Sequence, residues 1–120
     1  ELEEEMDSID FLHHIKKEMK TESIRYTSLV KESIKKVAVC GGSGSSFLYN
    51  AKKVGADIYI TSDFKYHEFF DADKDIIIAD IGHYESEQFT KDLIYNFLVK
   101  KFTKFAILLS KINTNPIKYL

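Results

Sequence analysis

Three short apolar runs constrain this chain more than any other feature. They are "VAVC" at 37–40, "DIYI" at 57–60 and "DIIIAD" at 75–80, and a fourth, "FAILL", spans 105–109. They are rich in valine and isoleucine and hardly alternate with polar residues. Strands buried on both faces of a sheet read this way. The starts of the first three lie about 20 residues apart, which leaves room for a crossover helix between parallel strands. The stretches between them have helical period. "SSFLYNAKKVG" puts Phe47, Leu48, Ala51 and Val54 on one side, with Gly55 as a stop. "SEQFTKDLIYNFLVKKF" carries Phe89, Leu93, Phe97 and Val99 with Ile94 and Leu98 on an apolar stripe, while "DFKYHEFFDA" is a shorter helical candidate. Upstream, "SIDFLHHIKKEM" at 8–19 predicts a helix with Ile9, Leu12, Ile15 and Met19 on one face and Phe11 beside them, capped by Asp7 or Ser8. An extended piece, "SIRYTSL", follows. Strand alternating with helix predicts an α/β domain, a mainly parallel sheet with helices on both faces.

At 120 residues, the chain suits one domain, residues 1–120. Lys+Arg is 17 against Asp+Glu 19, so the strong basic excess of a nucleic-acid or membrane-surface binder is absent. No apolar run approaches the roughly 20 residues of a membrane span. The single cysteine, Cys40, cannot form an internal disulfide and implies no oxidising compartment. We expect a cytoplasmic location and no membrane partner, and the charge balance disfavours nucleic acid while leaving room for a small local basic patch. The acidic start "ELEEEMD" does not read as a signal peptide. It lacks an initiator methionine, which we read as a piece of a longer protein.

In a parallel α/β sheet, sites gather beyond the carboxyl ends of the strands. Three polar clusters fall there: "GGSGSS", "TSDFKYH" and "DIGHYESE". The first is glycine-rich, and its Gly42, Ser43 and Gly44 could contact an anion or substrate through backbone N–H groups. It lacks the GK[ST] ending of a Walker loop, and Phe47 stands where a dinucleotide fingerprint has its third glycine. A tight structural turn explains it as well. The second cluster offers Asp63 and His67, four apart. On a helix these would form a hydrogen-bonded pair in which the carboxylate orients the ring, or a helix cap beside a half-buried histidine.

"DIGHYESE" is the third. His83 and Glu87, again four apart, supply an imidazole and a carboxylate, which are common ligands of zinc, manganese or iron. A helix starting near His83 would put both on one face. Asp63 or Asp80 could then accept from the second nitrogen of that histidine. An ordinary surface pair, with Glu85 and Glu87 favouring the helix N-terminus, fits the spacing too. Two ligands are also fewer than a metal site needs. His13 and His14 are helix neighbours about 100° apart and read as solvent-side residues. Cys40 reads as a small core residue.

Taken together, "VAVCGGSGSSFL", "GADIYITSDFKYHEFFDA" and "IIIADIGHYESEQF" resemble the C-terminal half of the GTP cyclohydrolase I type 2 homologue family, also called NGG-interacting-factor-like proteins. The likeness runs from "ELEEEM" to the "NPI" tail. It implies one lobe of a two-lobed fold that holds two divalent metal ions (zinc, manganese or iron) between the lobes. His83 and Glu87 match the ligands of "GH-x-x-x-E". Asp63 and His67 match "D-x-x-YH" and would lie nearby, in orienting and acid/base roles. Ser62 replaces a glycine of the usual "YITGD". The other ligands, a His-His pair and an aspartate, belong to the other lobe, so this chain would hold an incomplete site. The resemblance further implies a metal-dependent hydrolase acting on a nucleotide or phosphoester, in a hexameric ring. A non-catalytic metal-binding scaffold is the alternative. A plain nucleotide-binding module, resting on the glycine turn, is a third.

Overall fold

The computed structural model describes residues 1–120. In chain order it runs β1 (Met6–Asp7), α1 (Ser8–Glu18), β2 (Arg25–Tyr26), β3 (Ser33–Ile34) and β4 (Val37–Ser43). A 3-10 turn (Ser45–Phe47) leads into α2 (Leu48–Lys53), then β5 (Ile58–Ser62). A second 3-10 helix (Tyr66–Ala72), β6 (Ile77–Asp80), α3 (His83–Glu87) and α4 (Thr90–Lys101) complete the order. The main sheet has the order β2-β6-β5-β4. β4, β5 and β6 are parallel, and β2 closes the far edge antiparallel to β6. β1 and β3 form a separate two-stranded ribbon.

The pleat sends alternate side chains of β5 and β6 to opposite faces. Ile58, Ile60, Ile77 and Ala79 pack with Phe11 and Leu12 of α1. Tyr59, Ile76 and Ile78 pack with Leu48 and Ala51 of α2 and with Phe64. The expected three-layer α/β architecture is therefore present. Each fully buried isoleucine contributes roughly 1.5–3 kcal/mol relative to exposure. Local signals work as read. The Asp7 carboxylate accepts from the Ile9 and Asp10 N–H groups at the start of α1. At the end of α2 the Gly55 N–H donates to Lys52 and that of Ala56 to Ala51, the double bond that closes a helix at a left-handed residue.

Four expectations are corrected. First, "FAILL" at 105–109 forms no strand and pairs with neither edge of the main sheet. Second, "VAVC" is not buried on both faces. β4 is an edge strand, and its Val39 is 72% exposed. Third, the apolar stripe of α4 faces outward, and none of its residues is buried. Phe47 and Val54, at the two ends of α2, are exposed too. Fourth, Asp63 and His67 do not share a helix. Asp63 is a single residue at φ 60 after β5, and His67 lies in the 3-10 helix beyond it. His13 and His14 are exposed, as expected.

Candidate functional site

The carboxyl ends of β4, β5 and β6 converge on α3. β4 overshoots its partner there. Val39 pairs with Ile60 but Ser43 with Ser62, so four steps along β4 match two along β5. Extra residues in one strand make a bulge that bends it out of the sheet. The glycine turn is that bulge, and it leans on α3. On the far side, α3 begins at His83, directly after Gly82 at φ 92. A Cβ at residue 82 would lie 2.2 Å from the Glu85 Oε2, so both the backbone angle and the space require glycine.

His83 is gripped from two sides. Its Nδ1 is 2.6 Å from Oδ2 of Asp63, and its Nε2 is 3.3 Å from Oε2 of Glu87. The expected Asp63–His67 pair is thus replaced by Asp63–His83. Asp63 is one of the few non-glycine residues at positive φ, a conformation aspartate tolerates better than most. His67 is exposed and stacks edge-on against Tyr66. Asp80 does not serve His83. Its Oδ2 pairs with Arg25 and accepts the Phe64 N–H at 3.0 Å, while its Oδ1 accepts the Gly82 N–H at 3.1 Å.

The contacts of His83 define its chemistry. A carboxylate only accepts, so Nδ1 carries the proton shared with Asp63. In a neutral ring Nε2 then presents a lone pair to another acceptor, Glu87. Two lone pairs that close repel unless a cation lies between them. A proton can fill that role, and the His83 pKa is raised above its ordinary value of 6.5. The Asp63 hydrogen bond is the first cause, opposed by desolvation and reinforced by the charges of Asp63 and Glu87. A divalent metal ion can fill it as well, and a carboxylate behind the second nitrogen is the usual support of a metal-bound histidine. His83 and Glu87 fit as two ligands. No group of three or more His, Cys, Asp or Glu side chains in this chain is arranged to hold a metal.

This pairing should give the metal-free protein a small pH-dependent contribution to stability, since water screens the half-exposed His83 and Asp63. The folded-state pKa of His83 is raised, so its contribution to stability is complete below about pH 6.5. It is lost as the pH climbs through the raised value. Urea titrations in chelator across that window should show stability falling with pH, and Asp63→Asn should flatten the fall. An unchanged slope in the variant would show that the pair does not carry it.

The glycine turn is densely bonded. The Gly42 N–H donates to Ser86 Oγ at 2.8 Å, and the Gly42 carbonyl accepts from Thr61 at 3.2 Å and Ser62 at 2.5 Å. The Gly44 N–H reaches the Ser62 carbonyl, and its own carbonyl accepts from Tyr59. The N–H groups of Gly42 and Gly44 are therefore engaged inside the protein, while Ser43 is exposed. Burial first of all, with a Cys40 contact next, pushes the Tyr59 hydroxyl pKa up to about 12.

Two residues escaped sequence reasoning. Ser86 bonds both the Gly42 N–H and the His83 carbonyl, and its only signal was its position between the two ligand candidates. Glu85 is 6% exposed rather than on the surface, and its Oε1 accepts from Asn115 of the tail at 2.9 Å. The tail thereby folds back over α3. With Ile94 and Lys91 of α4 it walls a cleft of about 610 Å³ that opens beside His83 and Glu87.

A mainly parallel α/β sheet that presents an oriented histidine–carboxylate pair at its carboxyl edge defines the class as an α/β protein with a polar site at the strand ends. The sequence model of the Duf34/NIF3 (NGG1p interacting factor 3) family matches residues 1–116, and the chain belongs to this family. It is 38% identical over 123 residues to the GTP cyclohydrolase 1 type 2 homolog of Staphylococcus epidermidis, covering 99% of this chain and 34% of that protein. The Staphylococcus aureus (strain MSSA476) homolog is 34% identical over 125 residues, covering 100% of this chain and 34% of its own length. The chain thus spans about a third of these curated relatives. Among solved structures, Staphylococcus aureus protein SA1388 superposes with a TM-score of 0.84 at 31% identity, covering 100% of this chain and 40% of that one. A Bacillus cereus protein related to NIF3 gives 0.81 at 30%, covering 99% and 34%. No helix is long and apolar enough to cross a membrane.

Proposed function

We propose that this chain is the C-terminal lobe of a dinuclear metal-dependent hydrolase acting on a nucleotide or phosphoester. One observation carries the reading. His83 Nε2 and Glu87 Oε2 face each other at 3.3 Å, with the ring held by Asp63 at 2.6 Å. In this reading His83 and Glu87 ligate metal and Asp63 orients His83. His67, exposed on the neighbouring 3-10 helix, transfers protons. Ser43 offers the substrate contact of the glycine turn, since its glycine neighbours are already bonded. Divalent metals supply Lewis-acid polarisation of the scissile group and activation of water. The name of the staphylococcal relatives makes GTP the first substrate to try. The remaining ligands come from the other lobe, and the full-length protein assembles into a ring.

The test is turnover by the complete, metal-loaded protein across a panel of nucleotides and phosphoesters, with chelated protein as control. Hydrolysis that chelation removes and metal restores is expected. If no substrate turns over, the enzyme reading is wrong. One observation then favours a metal-binding interaction protein. Leu93, Ile94, Phe97, Phe105 and Leu108, neighbours along the chain, are all exposed, and apolar residues left exposed together mark interaction surfaces.

A further inference from the structure

We infer that Ser86, with Gly42 behind it, is a positioning residue that holds His83 and Glu87 in register with the sheet. The inference rests on the metal-ligand reading of that pair. The geometry is a short chain of contacts. The Ser86 hydroxyl donates to the His83 carbonyl at 2.8 Å and accepts the Gly42 N–H at 2.8 Å. The Gly42 carbonyl in turn accepts from Thr61 and Ser62, both fully buried at the end of β5. A single hydroxyl therefore ties the first turn of α3 to the bulge of β4, and the bulge to β5. Asp63, which orients the His83 ring, follows Ser62 directly. Both partners of the imidazole are thereby referred to the same strand end.

Gly42 sets the other limit. It sits at φ 67, and a Cβ there would lie 2.8 Å from Glu87 Oε1 and 3.5 Å from His83 Cε1. The bare backbone forms a wall against which the Glu87 carboxylate rests. α3 has only five residues, too few to be stable alone. Its first turn needs an anchor outside itself, and Ser86 provides it. Without that hydroxyl, His83 and Glu87 would keep their spacing along the helix. They would lose their fixed placement relative to Asp63. Metal sites are sensitive to such support, and loss of an outer partner typically costs 10–100-fold in affinity.

The experiment compares wild type, Ser86→Ala, Ser86→Thr and His83→Ala in the full-length protein. It reads zinc affinity by competition with a chromophoric chelator, the visible spectrum of the cobalt-loaded site, thermal stability, and hydrogen exchange of the Gly42 amide. Ser86→Ala should weaken zinc binding roughly tenfold or more, alter the cobalt bands and expose the Gly42 amide, with a thermal midpoint close to wild type. Ser86→Thr should restore all of these, since it keeps the hydroxyl. Wild-type affinity and spectrum in Ser86→Ala would overturn the positioning role. So would a loss of affinity that merely tracks a collapse in stability and is not rescued by threonine. If instead wild type and His83→Ala bind zinc equally, or neither binds, the metal-ligand reading fails, and the positioning role falls with it.

Discussion

Replacing His83 with alanine in the full-length protein is expected to reduce metal affinity by more than 100-fold, beyond the roughly 10–100-fold that loss of an outer-shell partner costs. The residue would lose both of its contacts at once. Nε2 no longer faces the Glu87 carboxylate, and Asp63 loses the proton it accepts. Because His83 and Asp63 are about half exposed, water can solvate what remains, and the fold should be little affected. Asp63→Asn gives the graded comparison. The amide keeps an oxygen that can accept from Nδ1 but removes the charge, so affinity should fall within the outer-shell range. Isothermal titration with zinc, beside circular dichroism for folding, distinguishes the two. Equal affinity in His83→Ala and wild type would remove this histidine from the site.

The largest effect on stability is expected at Asp80, three residues earlier. Its carboxylate is 4% exposed and collects Arg25, the Phe64 N–H and the Gly82 N–H. Asp80→Ala leaves two backbone donors and a guanidinium without their acceptor. Removing one partner of a buried charged network costs about 3–5 kcal/mol. Arg25 is 58% exposed and recovers some hydration, so we expect about 3 kcal/mol, or roughly a 10 °C drop in thermal midpoint for a domain of this size. Arg25→Ala should cost less, because Asp80 keeps its two N–H donors. A thermal midpoint within 2–3 °C of wild type, against the 2–8 °C that each kcal/mol moves the midpoint, would show that these bonds are not needed. The Gly82 bond also links stability to the site, since Gly82 opens the helix that carries His83.

Much of the fold was legible because it is written in local pattern. The isoleucines of β5 and β6 are buried as their runs imply, Asp7 caps α1, α2 ends at Gly55, and α3 starts at His83. Other features depend on what a segment packs against, which period does not encode. Val39 and the α4 stripe have the composition of buried surface yet face outward. Phe105–Leu109 has the composition of a strand yet pairs with none. Glu85 sits in a helix first turn, where acids are normally solvated, yet it is buried and bonded by Asn115, which returns from thirty residues away.

At the site, residue types and spacing by themselves determined His83 and Glu87 as one face of a short helix, since a four-residue step is one helical turn. The same rule paired Asp63 with His67, and there the tertiary structure decided otherwise. A left-handed residue at Asp63 breaks the helical step, while the parallel register of β5 and β6 brings the ends of both strands to one edge. Asp63 therefore meets His83 across the sheet, twenty residues away in sequence. Local spacing specifies which side chains share a helix face. Only the alignment of strand ends specifies which carboxylate stands behind which ring.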